Sequence, residues 1–525
     1  MVLLTNIHWI LVLIAVILSL AIWIYLRLFS LYSLPSNLPW AGVYDHGILS
    51  RPRAVLRSLL GTRGLLDESY TKYSKNDLIY VLPNFLTGPE VIIPLSMMDW
   101  LLQQPDSVLN QGEINRDFLQ ADHTMLHQKV ITDTVHADVI RKELTRNLGL
   151  FTGDVIEEVD FAFRKAWGVD EKDWKTVGAY DTMTEVIARI SNRVLVGLPL
   201  CRNEDYLYHT SRFARLIVLR SAVISLFPNF LKPFIAPLVT YTDYRHYLGM
   251  TKYTMLIWKQ RISDPNQDDK QKSDYFQWSL DHANAERDPE ERGSNMITKR
   301  LTAISFAAIQ SSVITSSNLM FDLAAYKGTA SLFDRIQEQI SAVLETENGT
   351  WNKTSLSRMT ILDSVLCESM RLGGFVSRGV LKAVVAKEGV KLPSGEHLPY
   401  GAKVGIQAYP IHYDEKIYPR AHEFDPLRFY TPGGHDNGDG KSKFSKNKRS
   451  PLVTTSPHFM GFSHGRHSCP GRFFASQQLK IVLAYVATNY EIEPLETRPA
   501  NNWFVGSSGP PLHATIRIRR RRNTV

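Results

Sequence analysis

The chain has 525 residues, is 44% hydrophobic and 21% charged, and carries a net charge of +8. These values exclude a disordered tail protein, a collagen-like fibre and a small stapled scaffold. Its three cysteines, Cys201, Cys367 and Cys469, cannot build a disulfide framework; they fit one functional thiolate among reduced thiols in a reducing compartment. Much of the positive excess gathers at Arg517, Arg519, Arg520, Arg521 and Arg522. No module of interleaved basic and aromatic residues accompanies it, so the reading is a solvated or lipid-facing edge and no nucleic-acid partner.

Ile7 to Leu26 read IHWILVLIAVILSLAIWIYL, without Asp, Glu, Lys or Arg. A helix of that length spans about 30 Å, the thickness of a bilayer core. Trp9, Trp23 and Tyr25 sit near its ends, where amphipathic rings favour the interface. No basic residue precedes the run and no small-residue cleavage site follows, which argues against a signal peptide. The expectation is an anchor over residues 1–30, transmembrane at about 7–26, followed by a proline hinge at 31–40 that contains Pro35 and Pro39. Arg27, Arg51, Arg53, Arg57 and Arg63 follow the span and none precedes it, which places the body on the cytosolic side. On that side the sequons at Asn348 and Asn352 stay unmodified.

Strand-like runs occur near Ile79–Val81 and Val91–Pro94, and residues 120–375 are mostly helical in period. Ala222 to Val239 is apolar but broken by Pro228, Lys232, Pro233 and Pro237. It reads either as core or as a loop that dips into a bilayer. Met296–Tyr326 is a long proline-free helical pattern. Val376 to Gly405 turns to short β-like runs, and Pro432 to Ser450 is a polar, glycine-rich surface loop. A final helix, Gly471 to about Asn489, precedes a short closing β segment. The body, 41–525, reads as one mainly α (α+β) fold behind a tether.

The sharpest segment is Phe459–Ala475, FMGFSHGRHSCPGRFFA. Cys469 stands at the start of an apolar helix, where free N–H groups and the positive helix end favour a thiolate. Gly465 and Gly471 permit a tight loop and close approach of a flat group. Phe462 can shield the sulfur, and Arg466 and His467 offer donors to carboxylates. The loop suits a flat, acid-bearing metal macrocycle. Zinc on His464, His467 and Cys469 is the competing reading, but structural zinc usually takes four ligands.

This segment resembles the haem-binding signature of cytochrome P450, F-x-x-G-x-[RH]-x-C-x-G, through Phe462, Gly465, His467, Cys469 and Gly471. Ser463 departs from a frequent glycine, and His467 stands where arginine is commoner. Glu368 and Arg371 resemble the family's E-x-x-R, and Arg428 in Phe424–Phe429 resembles the arginine that completes a three-residue structural lock with them. Ala307-Ala308-Ile309-Gln310-Ser311-Ser312 is similar to the oxygen-binding A-G-x-[DE]-T-T motif with its polar positions softened. Ser311 and Gln310 are therefore the candidate catalytic residues. Gln310 cannot ionise, so water or Ser311 carries proton delivery. The competing reading of Ser311 is a hydroxyl bonded back to its own helix. Arg378 resembles a position that reaches a haem propionate; Arg141, Lys142 and Arg146 are further candidates, left undecided.

The resemblance implies a cytochrome P450 fold, a helical haem-thiolate body with small β-sheets behind an N-terminal transmembrane helix. It implies haem b (iron protoporphyrin IX) with Cys469 as axial iron ligand, O2 as co-substrate, and NADPH acting through NADPH–cytochrome P450 reductase, with cytochrome b5 as auxiliary donor. The place implied is the cytosolic face of the endoplasmic reticulum membrane. GFSHGRHSCPGRFFASQQLKIVLAY and LTRNLG resemble the fungal branch of ent-kaurene oxidase-like and indole-diterpene oxidases. The implied reaction is hydroxylation or multi-step oxidation of a hydrophobic terpenoid in fungal secondary metabolism. Two alternatives stay open: an isomerase or dehydratase of the same fold acting without reductase, and a haem-binding membrane protein without turnover.

Overall fold

The computed structural model describes residues 18, 21–25, 28–29, 34–45, 47–263, 274–286, 288–375, 377–431 and 451–522. Most of the apolar run 7–26 and the glycine-rich run 432–450 lie outside the described residues. Among the described residues, no helix is long and apolar enough to cross a membrane. Residues 21–25 are helical, and Trp23 meets the ring of Phe85 edge-on at 6.0 Å.

The helices that position the site are α1 (Thr152–Trp167), α2 (Ala179–Leu195), α3 (Glu204–Ser225), α4 (Lys232–Val239), α5 (Tyr241–Ser263), α6 (Ser294–Ala325), α7 (Thr360–Leu372) and α8 (Arg472–Asn489). The proline-free pattern predicted at 296–326 is α6, the 32-residue central helix. Its second half is buried nearly all round, from Ser312 to Ala324, because α2, α3, α5, α7 and α8 all pack on it. A helical stretch buried on nearly every face, with its Ser312, Thr315, Ser316, Ser317, Asn318 and Asp322 enclosed as well, is stable only inside such a shell. Cutting a wholly buried side chain such as Leu319 or Phe321 back to alanine is expected to cost about 3 kcal/mol.

The strands, in chain order, are β1 (Tyr80–Leu82), β2 (Glu90–Ile92), β3 (Leu109–Asn110), β4 (Lys175–Gly178), β5 (Arg378–Val384), β6 (Lys403–Gln407), β7 (Tyr490–Ile492) and β8 (Thr515–Arg520). One five-stranded sheet runs β1-β2-β6-β5-β3. Its β2–β6 pair is parallel, with Val91 opposite Val404, and the other pairs are antiparallel. A second sheet runs β4-β8-β7 and ties the chain end to the region before α2.

Two expectations gain detail. The C-terminal arginines do form a solvated edge, with Arg517 and Arg522 exposed, but most are paired within the protein. Arg517 pairs with Glu493, Arg519 with Glu491, and Arg521 with Asp334, while Arg520 donates to Tyr485 and Asn489. The β8–β7 register sets Arg519 directly opposite Glu491, so opposite charges meet across strands. The Ala222–Val239 run is not plain core. It folds as the end of α3, a turn and α4, in which Lys232 and Ala236 turn inward. Phe230, Phe234 and Leu238, four residues apart, are 60%, 73% and 76% exposed.

Candidate active site around Cys469

The segment before α8 is held as a tight loop by its own backbone. Ser463 N donates to Met460 O at 2.9 Å, Cys469 N to Phe462 O at 3.0 Å, and Ser468 N to Gly465 O at 3.1 Å. Gly465 lies at φ +81°, and a Cβ there would stand 2.6 Å from Leu102 Cδ2, so both conformation and space require glycine. Ser463, at φ +61°, occupies the same left-handed region without being glycine. That conformation costs about 1 kcal/mol, and the hydroxyl offsets it by donating to Gly379 O at 2.8 Å on β5. Gly471 needs no such freedom: its φ is −88°, and a Cβ would make ordinary contact with Cys469 Sγ at 3.9 Å. Phe462 packs, partly buried, against the main core.

Burial pushes the Cys469 thiol up, opposed by the backbone N–H groups of Gly471 and Arg472 and by the Arg472 charge. The sequence reading held that the helix end favours the thiolate, and the Gly471 and Arg472 N–H groups do act in that direction, while burial acts against them and outweighs them in the protein alone. Cys469 and the run 461–473 nevertheless remain incompletely covered, although the loop sits among core elements.

A second accessible surface lies on α6. Ala307 is exposed in mid-helix, and Ala303, Ala308 and Ser311 beside it are only partly covered, while Leu301 and Ile309 are core. These residues follow the i, i+4 spacing of one helix face. Ser311 Oγ donates back to Ala307 O at 2.8 Å, the competing reading from the sequence, which leaves its lone pairs free to accept. Gln310 turns to a different neighbour: its Nε2 donates to Tyr180 Oη on α2 at 3.0 Å.

Beneath this region, the E-x-x-R pair and Arg428 meet as the resemblance implies. Arg371 Nε and Nη2 each reach the Glu368 carboxylate at 2.8 Å. Arg428 Nε adds bonds of 3.0 Å to both of its oxygens. Arg371 Nη1 also donates to Ala421 O at 2.7 Å, and Asp425 N donates to Glu368 Oε1 at 3.0 Å. Glu368 and Arg371 are completely buried. Such a pair is tolerable only because nearly every donor and lone pair is used.

Of the basic groups read as carboxylate holders, Arg466, His467, Arg378 and Arg141 already have protein partners, while Lys142 and Arg146 are exposed. His467 Nε2 and Arg466 Nη2 both reach Asp106 Oδ1, at 2.8 and 2.7 Å. Arg378 Nη1 donates to the buried Glu90 at 3.0 Å. Arg141 pairs with Asp138 one turn away. Zinc finds no support: among the described residues no group of three His, Cys, Asp or Glu side chains could hold a metal ion. His464 bonds instead to Thr455 at 2.9 Å.

The residues fit a haem at its axial position. A lone thiol at the mouth of a tight loop, incompletely covered yet set deep, suits one metal bond, and the small residues Ala303, Ala307 and Ala308 on α6 stay incompletely covered. At the acid edge, His467 and Arg378 could serve only by sharing or leaving Asp106 and Glu90.

Glu90, Asp106, Tyr180 and His412 were missed by sequence reasoning. His412 is wholly enclosed, accepts from Met460 N at 3.1 Å, and is lowered to about 3 by burial and then by Arg371. No local pattern marks these residues, since each meets its partner across a long stretch of chain.

Comparison with known proteins agrees with this geometry. The profile of the family Cytochrome P450 matches residues 101–512. The chain is 30% identical to cytochrome P450 monooxygenase polB of Polytolypa hystricis, over 95% of this chain and 96% of that one. It is 30% identical to cytochrome P450 monooxygenase astC of Aspergillus terreus, over 94% of each. With cytochrome P450 monooxygenase gloP of Glarea lozoyensis it shares 28% identity over 92% of this chain and 91% of that one. The mainly helical body with small sheets, the cysteine loop and these relatives together place the chain in the cytochrome P450 family, as a monooxygenase and hence an oxidoreductase.

Proposed function

We propose that the protein is a haem-thiolate monooxygenase that hydroxylates or repeatedly oxidises a hydrophobic terpenoid intermediate of fungal secondary metabolism. The observation that carries the reading is Cys469, incompletely covered at the tip of a tight loop, with the N–H groups of Gly471 and Arg472 acting on its sulfur. Haem b held there supplies the activation of O2, with electrons from NADPH brought by cytochrome P450 reductase and assisted by cytochrome b5.

The chain's own residues do the rest. Cys469 would hold the iron through its deprotonated sulfur, and Phe462 would keep water from that sulfur. Gly465 lets the loop pass Leu102 closely enough to fix the sulfur's position. Glu368, Arg371 and Arg428 hold the segments beneath the loop without touching substrate. His467 and Arg378 are the candidates to hold the acid edge. Ser311, whose hydroxyl hydrogen goes to Ala307 O, accepts from a water and orients it; Gln310 takes part as a neutral neighbour. Ala303, Ala307 and Ala308 give an apolar substrate room beside α6.

The anchor over 1–30, the hinge at 31–40 and a catalytic body from 41 onward complete the proposal, on the cytosolic face of the endoplasmic reticulum. The apolar run 7–26 supports the first part, and the outward Phe230, Phe234 and Leu238 support a second contact with lipid. The test is expression in microsomes with reductase, terpenoid feeding, and the ratio of product to NADPH. Oxygen-dependent product with matching NADPH consumption supports the reading. Conversion without oxygen or NADPH would favour a reductase-independent isomerase or dehydratase, a reading encouraged by the back-bonded Ser311 and the non-ionising Gln310. Haem binding without turnover would favour a non-catalytic membrane protein.

A further inference from the structure

Lys382 lies in β5, opposite Val404 of β6, and is 1% exposed. Burial lowers its ammonium below the usual lysine range, and the Arg466 charge adds to this against the pull of Asp106. A buried ammonium is costly unless its protons are used. Here Nζ donates to two backbone oxygens, Leu101 O at 2.9 Å and Gln104 O at 3.4 Å. Both stand at the end of the helical turn Met98–Gln103, where carbonyls run out of partners within the helix. The residue four on from Leu101 is Pro105, which has no N–H to give. The neighbouring oxygens are answered too: Trp100 O accepts from Gln104 Nε2 at 3.2 Å, and Gln104 O also accepts from Arg466 Nη2 at 2.9 Å. A cation at this end further meets the negative pole of the turn.

The same turn is the seat of the cysteine loop. Leu102 is the side chain that a Cβ at Gly465 would strike. Arg466 fastens to Gln104 O and Asp106, and His467 to Asp106. Three successive loop residues thus rest on residues 102–106, and Cys469 follows two positions later. The strand that carries Lys382 also grips the chain just beyond, with Asn110 opposite Ala383 and Val385 N donating to Val108 O at 2.9 Å. The N–H groups of Gly471 and Arg472 act on the sulfur at close range. A shift of the seat reaches that sulfur through the bonds that close the loop, Ser468 N to Gly465 O and Cys469 N to Phe462 O.

We infer that Lys382 is a positioning residue for the Cys469 sulfur, acting through the turn Met98–Gln103 on which the loop is seated. This rests on the haem-thiolate reading above. Removing the ammonium leaves Leu101 O without its donor and Gln104 O with Arg466 alone. The turn then loosens from β5, and Leu102 no longer backs Gly465.

The test compares three variants of the haem-loaded protein. Lys382→Met keeps an unbranched stem and removes the charge. Leu102→Ala takes away the seat and leaves the bonds to Leu101 O and Gln104 O in place. Met250→Ala is a wholly buried truncation on α5, which packs on α3 and α6. Two quantities are read at fixed pH: the unfolding temperature, and the rate at which the reduced carbon monoxide complex loses its thiolate-type band. Lys382→Met and Leu102→Ala should lose the band about tenfold faster than the unsubstituted protein, the factor one hydrogen bond to a charged group is worth. Met250→Ala should lower the unfolding temperature and leave the rate within about twofold. An unchanged rate in Lys382→Met would overturn the inference and leave the lysine as core packing. A tenfold change in Met250→Ala would also overturn it, since the loop would then answer to any loss of stability. Should Lys382→Met not fold, Leu102→Ala decides: a tenfold rise supports the inference and an unchanged rate overturns it. An unsubstituted protein without the band would instead remove the underlying reading, and this inference with it.

Discussion

The Glu368 lock and the accessible face of α6 lie in neighbouring parts of one core and treat polar groups in opposite ways. In the lock, the carboxylate meets two guanidinium groups and a backbone N–H, and nothing is left over. On α6, Ser311 bonds to Ala307 O and Gln310 to Tyr180, and both keep lone pairs for a guest. Saturated polar groups specify a single packing, while unsaturated ones in a half-open space can do chemistry. The cysteine loop combines both: backbone bonds from Ser463, Ser468 and Cys469 hold it closed, and one sulfur is spare.

Breaking the lock should have the largest effect. Glu368→Ala leaves the buried Arg371 charge without a counter-charge, held only by backbone carbonyls such as Ala421 O, and is expected to cost about 3–5 kcal/mol, seen in denaturant unfolding as a large fall in midpoint and in poor haem uptake. Next comes acid. His136 and His412 are held neutral by burial, lowered to about 4 and about 3, each with a neighbouring arginine as the second cause. Below about pH 6.5 the unfolded chain binds these two protons and the folded chain refuses them, so stability falls as pH drops towards 4. By pH 5 each is expected to remove up to about 2 kcal/mol, measured as unfolding free energy against pH. His412→Gln should flatten the slope by about one proton.

A smaller loss is expected in the loop. Gly465→Ala combines a left-handed backbone with a clash against Leu102, and about 2 kcal/mol should disappear from unfolding, with a broader environment at the sulfur. At the far end of the scale, Arg517→Ala removes an exposed pair with Glu493 and should change stability by less than about 1 kcal/mol. If that surface change rivalled the lock, the contrast drawn between saturated and spare polar groups would fail.

What was legible in the chain follows from sequence distance. The cysteine loop, Glu368 with Arg371, and the long α6 are encoded within one turn or one helix, and they stand where the residues implied. Arg428 was reachable through its resemblance alone, sixty positions from Glu368. Asp106 and Glu90 answer His467 and Arg378 across 361 and 288 positions, and no local pattern records that they neutralise the groups expected to face a haem. Tyr180 was hidden for the same reason, and so was the burial that opposes the Cys469 thiolate, because burial is a tertiary quantity. The outward face at α4 was available in principle, since Phe230, just before the helix, and Phe234 and Leu238 within it recur every fourth residue, but the sequence reading took the prolines only as breaking a spanning helix. Proline in the first turn costs a helix little, which is how α4 tolerates Pro233.

The most direct measurement is the reduced carbon monoxide difference spectrum of purified protein supplied with haem, before and after Cys469→Ser. The thiolate-type band should be present in the unsubstituted protein and vanish in the variant, while the secondary structure by circular dichroism stays the same. A colourless unsubstituted protein, or a band that survives the loss of the sulfur, would contradict the account at its centre.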